Sequence, residues 1–474
     1  MKNVIFIITI LIFLSYSKQV NAASFSSEGI YYDILSYEDL TCEIAANQKY
    51  SGSGLVSIPD IVEYNGNGYT VIGIANQAFG SIFYQGGNNT LQVIDLSKCK
   101  HLTYIGLCAF SYAIQLRNIV FPESLERIGN GAFSHTALTE VDLSGCPALE
   151  IIEPTAFDNC ASLQKINLSG CSQLTTIGED VCRMCYSLDT LILDQCTSLA
   201  SIGNGAFLQN PIKTLDFSDC RSLKEIAYNA FWGCKSLKSV NFEGCTELNF
   251  IENNAFGNCT SLIDVNFTGC YSLAEFDKEV FSGCTAIKEI DLSKTSLSVL
   301  GSRAFVGCQS LGRVILPETL STIGYQAFYE CEALNKVTCY ATQPPSITTS
   351  SDGKYSGLFT PPFTYYGTLY VRAESLDLYK SAKYWASVYT ILPINDDKGG
   401  IKLIYSDTTT PQLIVYPDGV RLSEAFGEDI AICDLSGRTI WSTEYYNGEL
   451  IHIESGIWII KIGKKCSFKV VYQD

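Results

Sequence analysis

The chain has 474 residues, with 49 Asp and Glu against 32 Lys and Arg, a formal charge of −17 and 47% apolar residues. That is enough apolar material for a continuous core. An acidic surface on this scale repels phosphate backbones and acidic lipids, which argues against nucleic acid as a partner.

Lys2 is followed by an apolar run from Val4 to Leu14 and a polar stretch ending Val20-Asn21-Ala22, the pattern of a secretory signal peptide cleaved after Ala22. The run is too short to span a bilayer, and no later segment has 18 continuous apolar residues, so no transmembrane segment is expected in the mature chain. Residues 23–90 read as an N-terminal β cap with a first partial repeat. Within them, residues 51–74 hold two alternating runs around Asn65-Gly66-Asn67-Gly68, a hairpin signal. Such a hairpin would cover the open edge of the first coil.

One phrase of 23 to 25 residues then restarts eleven times between Leu91 and Thr360. Its marker is an aromatic slot at Phe79, Phe110, Phe133, Phe157, Phe207, Phe231, Phe256, Phe281, Phe305 and Phe328, with Cys182 standing where one further Phe is due. The Gly- and Asn-rich stretch from Ser81 to Thr90 lengthens the first interval and belongs in a loop. Each unit reads Leu-x-x-aliphatic-x-aliphatic-x-x-Cys-x-x-Leu-x-x-Ile and then Ala-Phe-x-x-Cys. A fixed period of this length means a solenoid of the leucine-rich-repeat kind. The expected fold is an α/β-type repeat solenoid dominated by short parallel β-strands over residues 91–340. In Ser239-Val-Asn-Phe-Glu243, alternation turns Val240 and Phe242 inward and the other three outward. One coil cannot bury its own apolar side, whereas stacked coils cover one another.

Fourteen of the 20 cysteines fall in two registers. Cys99, Cys146, Cys171, Cys196, Cys220, Cys245 and Cys270 share the turn slot after the strand. Cys160, Cys185, Cys234, Cys259, Cys284, Cys308 and Cys331 share the slot three residues after the aromatic. Cysteines repeated in this way are small buried core residues, and their parallel side chains suit disulfides poorly, so free thiols are expected. The spacing Cys182-Arg-Met-Cys185 is that of a redox or zinc pair, but it lies inside the repeat and has no second pair. His101, His135 and His452 are too scattered to build a metal cage or a nucleophile with its base. No Gly-x4-Gly-Lys loop is present, and no catalytic residue, metal or cofactor is expected.

What remains is surface. The middle outward position of successive strands reads Asp95, Val120, Asp142, Asn167, Ile192, Asp216, Asn241, Asn266, Asp291, Ile315 and Thr338. Asp95, Asp142, Asn167, Asp216, Asn241, Asn266 and Asp291 make a polar stripe on an expected concave sheet. It is either a ligand groove, since solenoids bind along extended surfaces, or a solvated strand face that favours short polar residues.

After the array, Pro-rich stretches break the period, and residues 341–394 read as a C-terminal cap. A strand beginning at Leu369 and a short helix bring Leu376, Tyr379 and Trp385 to close that end. Residues 395–400 form a Gly-containing linker. Residues 401–474 hold short alternating runs, at Gln412–Tyr416, Ile430–Cys433, Thr439–Trp441, Gly456–Lys461 and Phe468–Val471, the content of a small antiparallel β-sandwich.

The Ala-Phe-x-x-Cys repeats with a preceding Ile-Gly, as at Ile202-Gly203 and Ile323-Gly324, resemble the BspA-type leucine-rich repeats of exported bacterial surface proteins. That resemblance extends over Ser51 to Ile394 and implies attachment to, or binding of, host and bacterial proteins. The tail resembles the C-terminal sorting domain of the type IX secretion system of Bacteroidetes, through Asp434-Leu-Ser-Gly-Arg438 and Ser455-Gly-Ile-Trp-Ile-Ile-Lys461, with Trp458 for the usual Tyr. The tail lacks the usual basic finish, leaving open whether it is removed as a signal or retained. The leading functional expectation is a non-enzymatic secreted or cell-surface binding protein, adhesin-like, whose partners are proteins or glycans. A structural, self-associating surface component is the alternative. A carbohydrate-active enzyme, using acidic pairs such as Glu289 and Asp291, comes last.

Overall fold

A computed structural model describes residues 23–48, 54–81, 88–349, 359, 367–388 and 390–394, and in the tail the strands named below with Arg438. The signal-peptide residues and Ala22 lie outside the described residues. The chain divides into two compact units, Met1–Pro393 and Ile394–Asp474.

In the first unit every repeat contributes two strands. The longer one is three or four residues, as in Glu140–Asp142, Lys165–Asn167 and Thr190–Ile192, which pair in parallel with Val141, Ile166 and Leu191 in one inward row. The second is two residues long, as in Arg127–Ile128, Ile151–Ile152 and Thr176–Ile177, again parallel and in register. This second ladder runs without a break to Ser346–Ile347 and, with the cap strands, makes a sixteen-stranded sheet. The repeat pattern led us to expect only a returning arc here. The Ile of each Ile-Gly is in fact a rung, because its side chain closes the core from the opposite side to the longer strand.

The returning segment is not helical. Among the described residues the only α-helix is Leu376–Ser381, in the C-terminal cap, so the expected α/β character narrows to a two-ladder β-solenoid. The reason is local. From Phe110 on, each slot is flanked two residues on either side by left-handed backbone, as at Asn229 (φ 56°) and Gly233 (φ 70°) around Phe231, and at Asn254 and Asn258 (both φ 57°) around Phe256. Two left-handed residues within five leave no room for a helical turn to propagate.

Between the ladders the slot aromatics stack. Phe79, Phe110, Phe133 and Phe157 form one pile with ring centroids 5.1 to 5.4 Å apart. Phe207, Phe231, Phe256, Phe281, Phe305 and Phe328 form a second, at 5.3 to 5.6 Å. Cys182, fully buried, separates the two piles. Coils lie so close that some slots exclude any side chain: a Cβ on Gly324 would stand 2.1 Å from the backbone nitrogen of Ser302.

Both ends add strands to the hairpin and helix read from the sequence. Ile61–Tyr64 and Asn67–Ile74 do form an antiparallel hairpin, turning at Asn65 and Gly66 with φ of 51° and 79°. Leu55–Ser57, however, leaves that run and pairs in parallel with Val93–Asp95, as the first rung of the longer-strand ladder. Alternation alone could not separate the two, since both are short apolar runs. The edge of the second ladder is covered by Ser24–Ser27, Ile30–Ser36 and Thr41–Ile44. Tyr104 clamps this cap: its ring lies where a side chain on Gly73 would be, and its hydroxyl donates to Glu43 at 2.6 Å. At the other end Thr368–Val371 and Thr390–Pro393 add two more rungs. Tyr379 and Trp385 are buried there, the hydroxyl donating to the Ala341 carbonyl and the indole N–H to that of Pro345, each at 3.0 Å.

In the second unit Ile401–Leu403, Cys466–Tyr472, Gly456–Ile462, Ile430–Cys433 and Thr439–Thr443 form an antiparallel five-stranded sheet, in that order, and Leu413–Tyr416 pairs with Gly419–Leu422 as a hairpin. Residues 434–437 of the sorting-type turn lie outside the described residues.

Candidate functional site: the outward face of the longer-strand ladder

The stripe residues occupy the outward positions expected of them, and each one is engaged with its own chain. Oδ1 of Asp95, Asp142, Asn167, Asp216, Asn241, Asn266 and Asp291 accepts the backbone N–H two residues on, at 2.8 to 3.1 Å. This is the Asx turn by which a short polar side chain ends a strand. Hydrogen bonds from Ser97 hold the Asp95 carboxyl below its usual range. At Asp142 burial works the other way but is outweighed by Ser144, Lys165 and Asn167, so its carboxyl is also lowered.

Three amides link neighbouring coils. Asn167 Nδ2 donates to Asp142, Asn241 to Asp216, and Asn266 to Asn241, each at 3.0 Å. The ladder itself is interrupted. It consists of four sheets, with open junctions between Asn118–Val120 and Glu140–Asp142, between Thr190–Ile192 and Thr214–Asp216, and between Asp264–Asn266 and Glu289–Asp291. The amides of Leu168 and Phe242 donate to the carbonyls of Ile192 and Asn266, whereas Phe121, Leu193 and Phe267 make no such bond to the following coil. Every open junction is entered at an Asp: Asp142, Asp216 or Asp291. An Asp has no side-chain N–H to return to the preceding rung, and Val120, Ile192 and Asn266, already donating backwards, offer it none. Asp95 sits at an intact junction, after Ser57. Paired rungs hold about 4.8 Å, so the pairing does not make this face the tighter of the two.

The first outward position of each strand was not singled out in the sequence, although the same alternation points it to the same side. It carries Glu140, Lys165, Thr190, Thr214, Ser239, Asp264, Glu289, Arg313, Lys336 and Thr368. Lys165 pairs with Glu140 at 2.7 Å and Arg313 with Glu289 at 3.0 Å, while Lys213, one residue ahead of its strand, pairs with Asp189 at 2.6 Å. These side chains take no part in the Asx turns.

The remaining candidates for chemistry resolve into structure. Glu289 and Asp291 do not form a free carboxyl pair: one is held by Arg313 and the other by the Ser293 N–H. All nineteen described cysteines are free. In both registers the thiol donates to a carbonyl of the preceding coil. Cys171, Cys196, Cys245 and Cys270 reach Leu143, Leu168, Phe217 and Phe242 at 3.2 to 3.3 Å. Cys160, Cys185, Cys234, Cys259, Cys284, Cys308 and Cys331 reach the slot aromatic of that coil at 3.1 to 3.3 Å. Cys99, Cys146 and Cys220 make the same kind of contact, the last at 4.0 Å. Burial pushes the Cys146, Cys196, Cys234, Cys245 and Cys270 thiols up to about 12. That suppresses the reactive thiolate. Cys185, in the Cys-x-x-Cys spacing, is raised as well, through its contacts with Cys182 and by burial and against an opposing bond with Cys160. No group of three metal-ligating side chains occurs among the described residues. His101 faces Asp60 at 3.1 Å, and His135 lies between Ser134 and Tyr112. His452 lies outside the described residues.

Two parallel ladders, a stacked aromatic core and a repeat of this length define a leucine-rich-repeat solenoid. The chain belongs to the BspA-type leucine-rich repeat family, whose model matches residues 80–213, 152–288 and 200–335, together more than half of the sequence. Among solved structures it is similar to a leucine-rich repeat protein from Bacteroides ovatus, at 26% identity over 66% of this chain and 94% of that one, with a TM-score of 0.32. A leucine-rich cell surface protein from Faecalibacterium prausnitzii gives 21% identity over 70% and 96%, with a TM-score of 0.35. The pneumococcal vaccine antigen PcpA gives 18% over 79% and 99%, with a TM-score of 0.37. No curated protein matches the chain. Among the described residues no helix is long and apolar enough to cross a membrane.

Proposed function

We propose that this chain is a non-enzymatic, adhesin-like binding protein that engages proteins or glycoconjugates along the outward face of its longer-strand ladder. The observation carrying this reading is the division of labour on that face. The stripe from Asp95 to Asp291 is satisfied by its own backbone and forms a rigid polar floor, while the first outward positions from Glu140 to Lys336 present charged and hydroxyl groups above it. The cysteine registers are buried, and Glu289 and Asp291 are held by Arg313 and the Ser293 N–H. Export through residues 1–22, and surface delivery through a tail of the type IX sorting kind at 401–474, belong to the same proposal.

The test is a binding titration of the mature protein against host matrix proteins and bacterial surface fractions, using two sets of variants. Reversing Lys165, Asp264 and Glu289 one at a time is expected to change capture, whereas Asp142→Asn and Asp216→Asn, which keep the Oδ1 acceptor, change it little. Capture indifferent to the charge reversals would move the site off this face. N-terminal sequencing of the exported protein checks cleavage after Ala22.

A further inference from the structure

The ladder face changes character towards its C-terminal end. Arg313 gives Nη1 to Glu289, but its Nε is buried and has no hydrogen-bond partner. One rung on, Lys336 has no carboxylate partner among the described residues, and its Nζ stands 5.0 Å from the ring centroid of Tyr370 on the next rung. Burial and the neighbouring Arg313 lower the affinity of this amine for its proton, with Glu289 opposing. Between these cations the outward-pointing Ile315 and Thr338 are only 8% and 7% exposed, where the equivalent Asp216 and Asp291 are open. Lys288, exposed and one residue ahead of Glu289, which stands two rungs before Lys336, also lacks a carboxylate partner among the described residues. On a chain of charge −17, this is a place where cationic groups exceed their counterions.

We infer that Lys288, Arg313, Lys336 and Tyr370 seat an acidic polysaccharide bearing one carboxylate per disaccharide, laid across the rungs. The inference rests on the binding reading above and names its ligand class. A carboxylate beside Lys336 would supply the counter-charge that Tyr370 replaces only in part, and would form charge-assisted hydrogen bonds in a partly dehydrated setting. The pitch selects the polymer. The rung that Lys288 precedes lies two before that of Lys336, about 10 Å at 4.8 Å per rung, which is about the length of a disaccharide. Side chains on one side of an extended peptide recur at about 6.8 Å and fall out of step. The net negative charge repels any polyanion at long range, but at physiological ionic strength that field is screened beyond about 8 Å, leaving the local cations to decide.

The test is calorimetric titration of the full chain, near physiological ionic strength, with hyaluronate oligosaccharides, poly-glutamate and neutral dextran. Hyaluronate is expected to bind, and the double variant Lys288→Ala, Lys336→Ala to bind about tenfold more weakly, the size of losing a charge-assisted contact. Lys224→Ala, on the other ladder, should bind as the parent does, and circular dichroism of each variant controls for folding. Equal binding of dextran, preference for poly-glutamate, absence of hyaluronate binding, or affinity unmoved by the double variant overturns the inference. If hyaluronate fails while capture of a macromolecule still changes on reversing Lys165, Asp264 and Glu289, only the ligand class is wrong. Capture unaffected by those reversals defeats the broader reading instead.

Discussion

Asn241 donates from Nδ2 to Oδ1 of Asp216 at 3.0 Å across two coils, and with its own Oδ1 accepts from Asn266 Nδ2 at the same distance. Where an Asn follows, the rungs are tied; where Asp291 follows Asn266, the ladder opens. Asp291→Asn should restore the missing amide bond and raise stability by about 1 kcal/mol, the net worth of one hydrogen bond. Asn241→Asp removes a donor and should cost at least as much. Urea denaturation midpoints at unchanged slope would show both effects; equal midpoints for all three proteins would sever the link between Asp and the open junctions.

The thiol ladders make stability depend on pH. Burial holds thiols such as Cys234 near 12 when folded, above an unfolded value of about 8.5. A raised folded value means that the contribution is fully present below about pH 8.5 and is lost as pH climbs towards 12. Denaturation midpoints should therefore fall between pH 8 and pH 10, less steeply in Cys234→Ala. Without reductant, a thiol reagent should label the folded protein slowly and the unfolded protein at most of its cysteines.

Asn210 stands in the second cysteine register, fully buried, with Nδ2 on the carbonyls of Cys182 at 2.9 Å and Cys185 at 3.3 Å. Its Oδ1 is buried without a partner. Asn210→Ala should cost about 1 kcal/mol by removing the side-chain donor from two carbonyls, each of which keeps one backbone N–H. Asn210→Cys, which returns the thiol donor of the other coils, should recover most of the loss. A cysteine variant no better than alanine would show that the amide has a role that the register does not explain.

Phe256 lies between Phe231 and Phe281 at 5.3 and 5.5 Å, with Phe242 edge-on at 5.9 Å. Phe256→Ala should cost about 3–5 kcal/mol, as for other large aromatic truncations in closed cores. Hydrogen exchange should show the loss concentrated in the coils on either side, because a solenoid's contacts run only between neighbours.

Thr155 occupies the left-handed slot two residues before Phe157, at φ 56°, a poor place for a β-branched side chain. Thr155→Asn should stabilise by roughly 1 kcal/mol, since Asn tolerates this region. A lower thermal midpoint would mean that the Thr155 hydroxyl's bond to Asn130, at 3.2 Å, outweighs the strain.

Period, inward rows and cysteine registers were legible in the sequence because each is a local pattern repeated at fixed spacing. Val240, Phe242, Phe256 and Cys259 are buried where alternation and the slot place them. The returning rung at Ile128 or Ile177 was not, since two residues carry no periodicity of their own and become a strand only when a neighbouring coil supplies partners. The stripe was legible as a row but not as a set of turns: Asp216 in isolation reads equally as ligand contact and as strand terminator, and only the Ser218 N–H and the Asn241 amide decide. For the same reason the cluster of Arg313, Lys336 and Tyr370 was invisible. Lys336 and Tyr370 are 34 residues apart in the chain and meet only because consecutive coils bring their strands into register. Repetition in the sequence determined that this chain is a stacked solenoid with a thiol and aromatic core. Which outward groups are tied down, and where the rungs part, was decided by hydrogen bonds between coils, and these exist only once the coils are stacked.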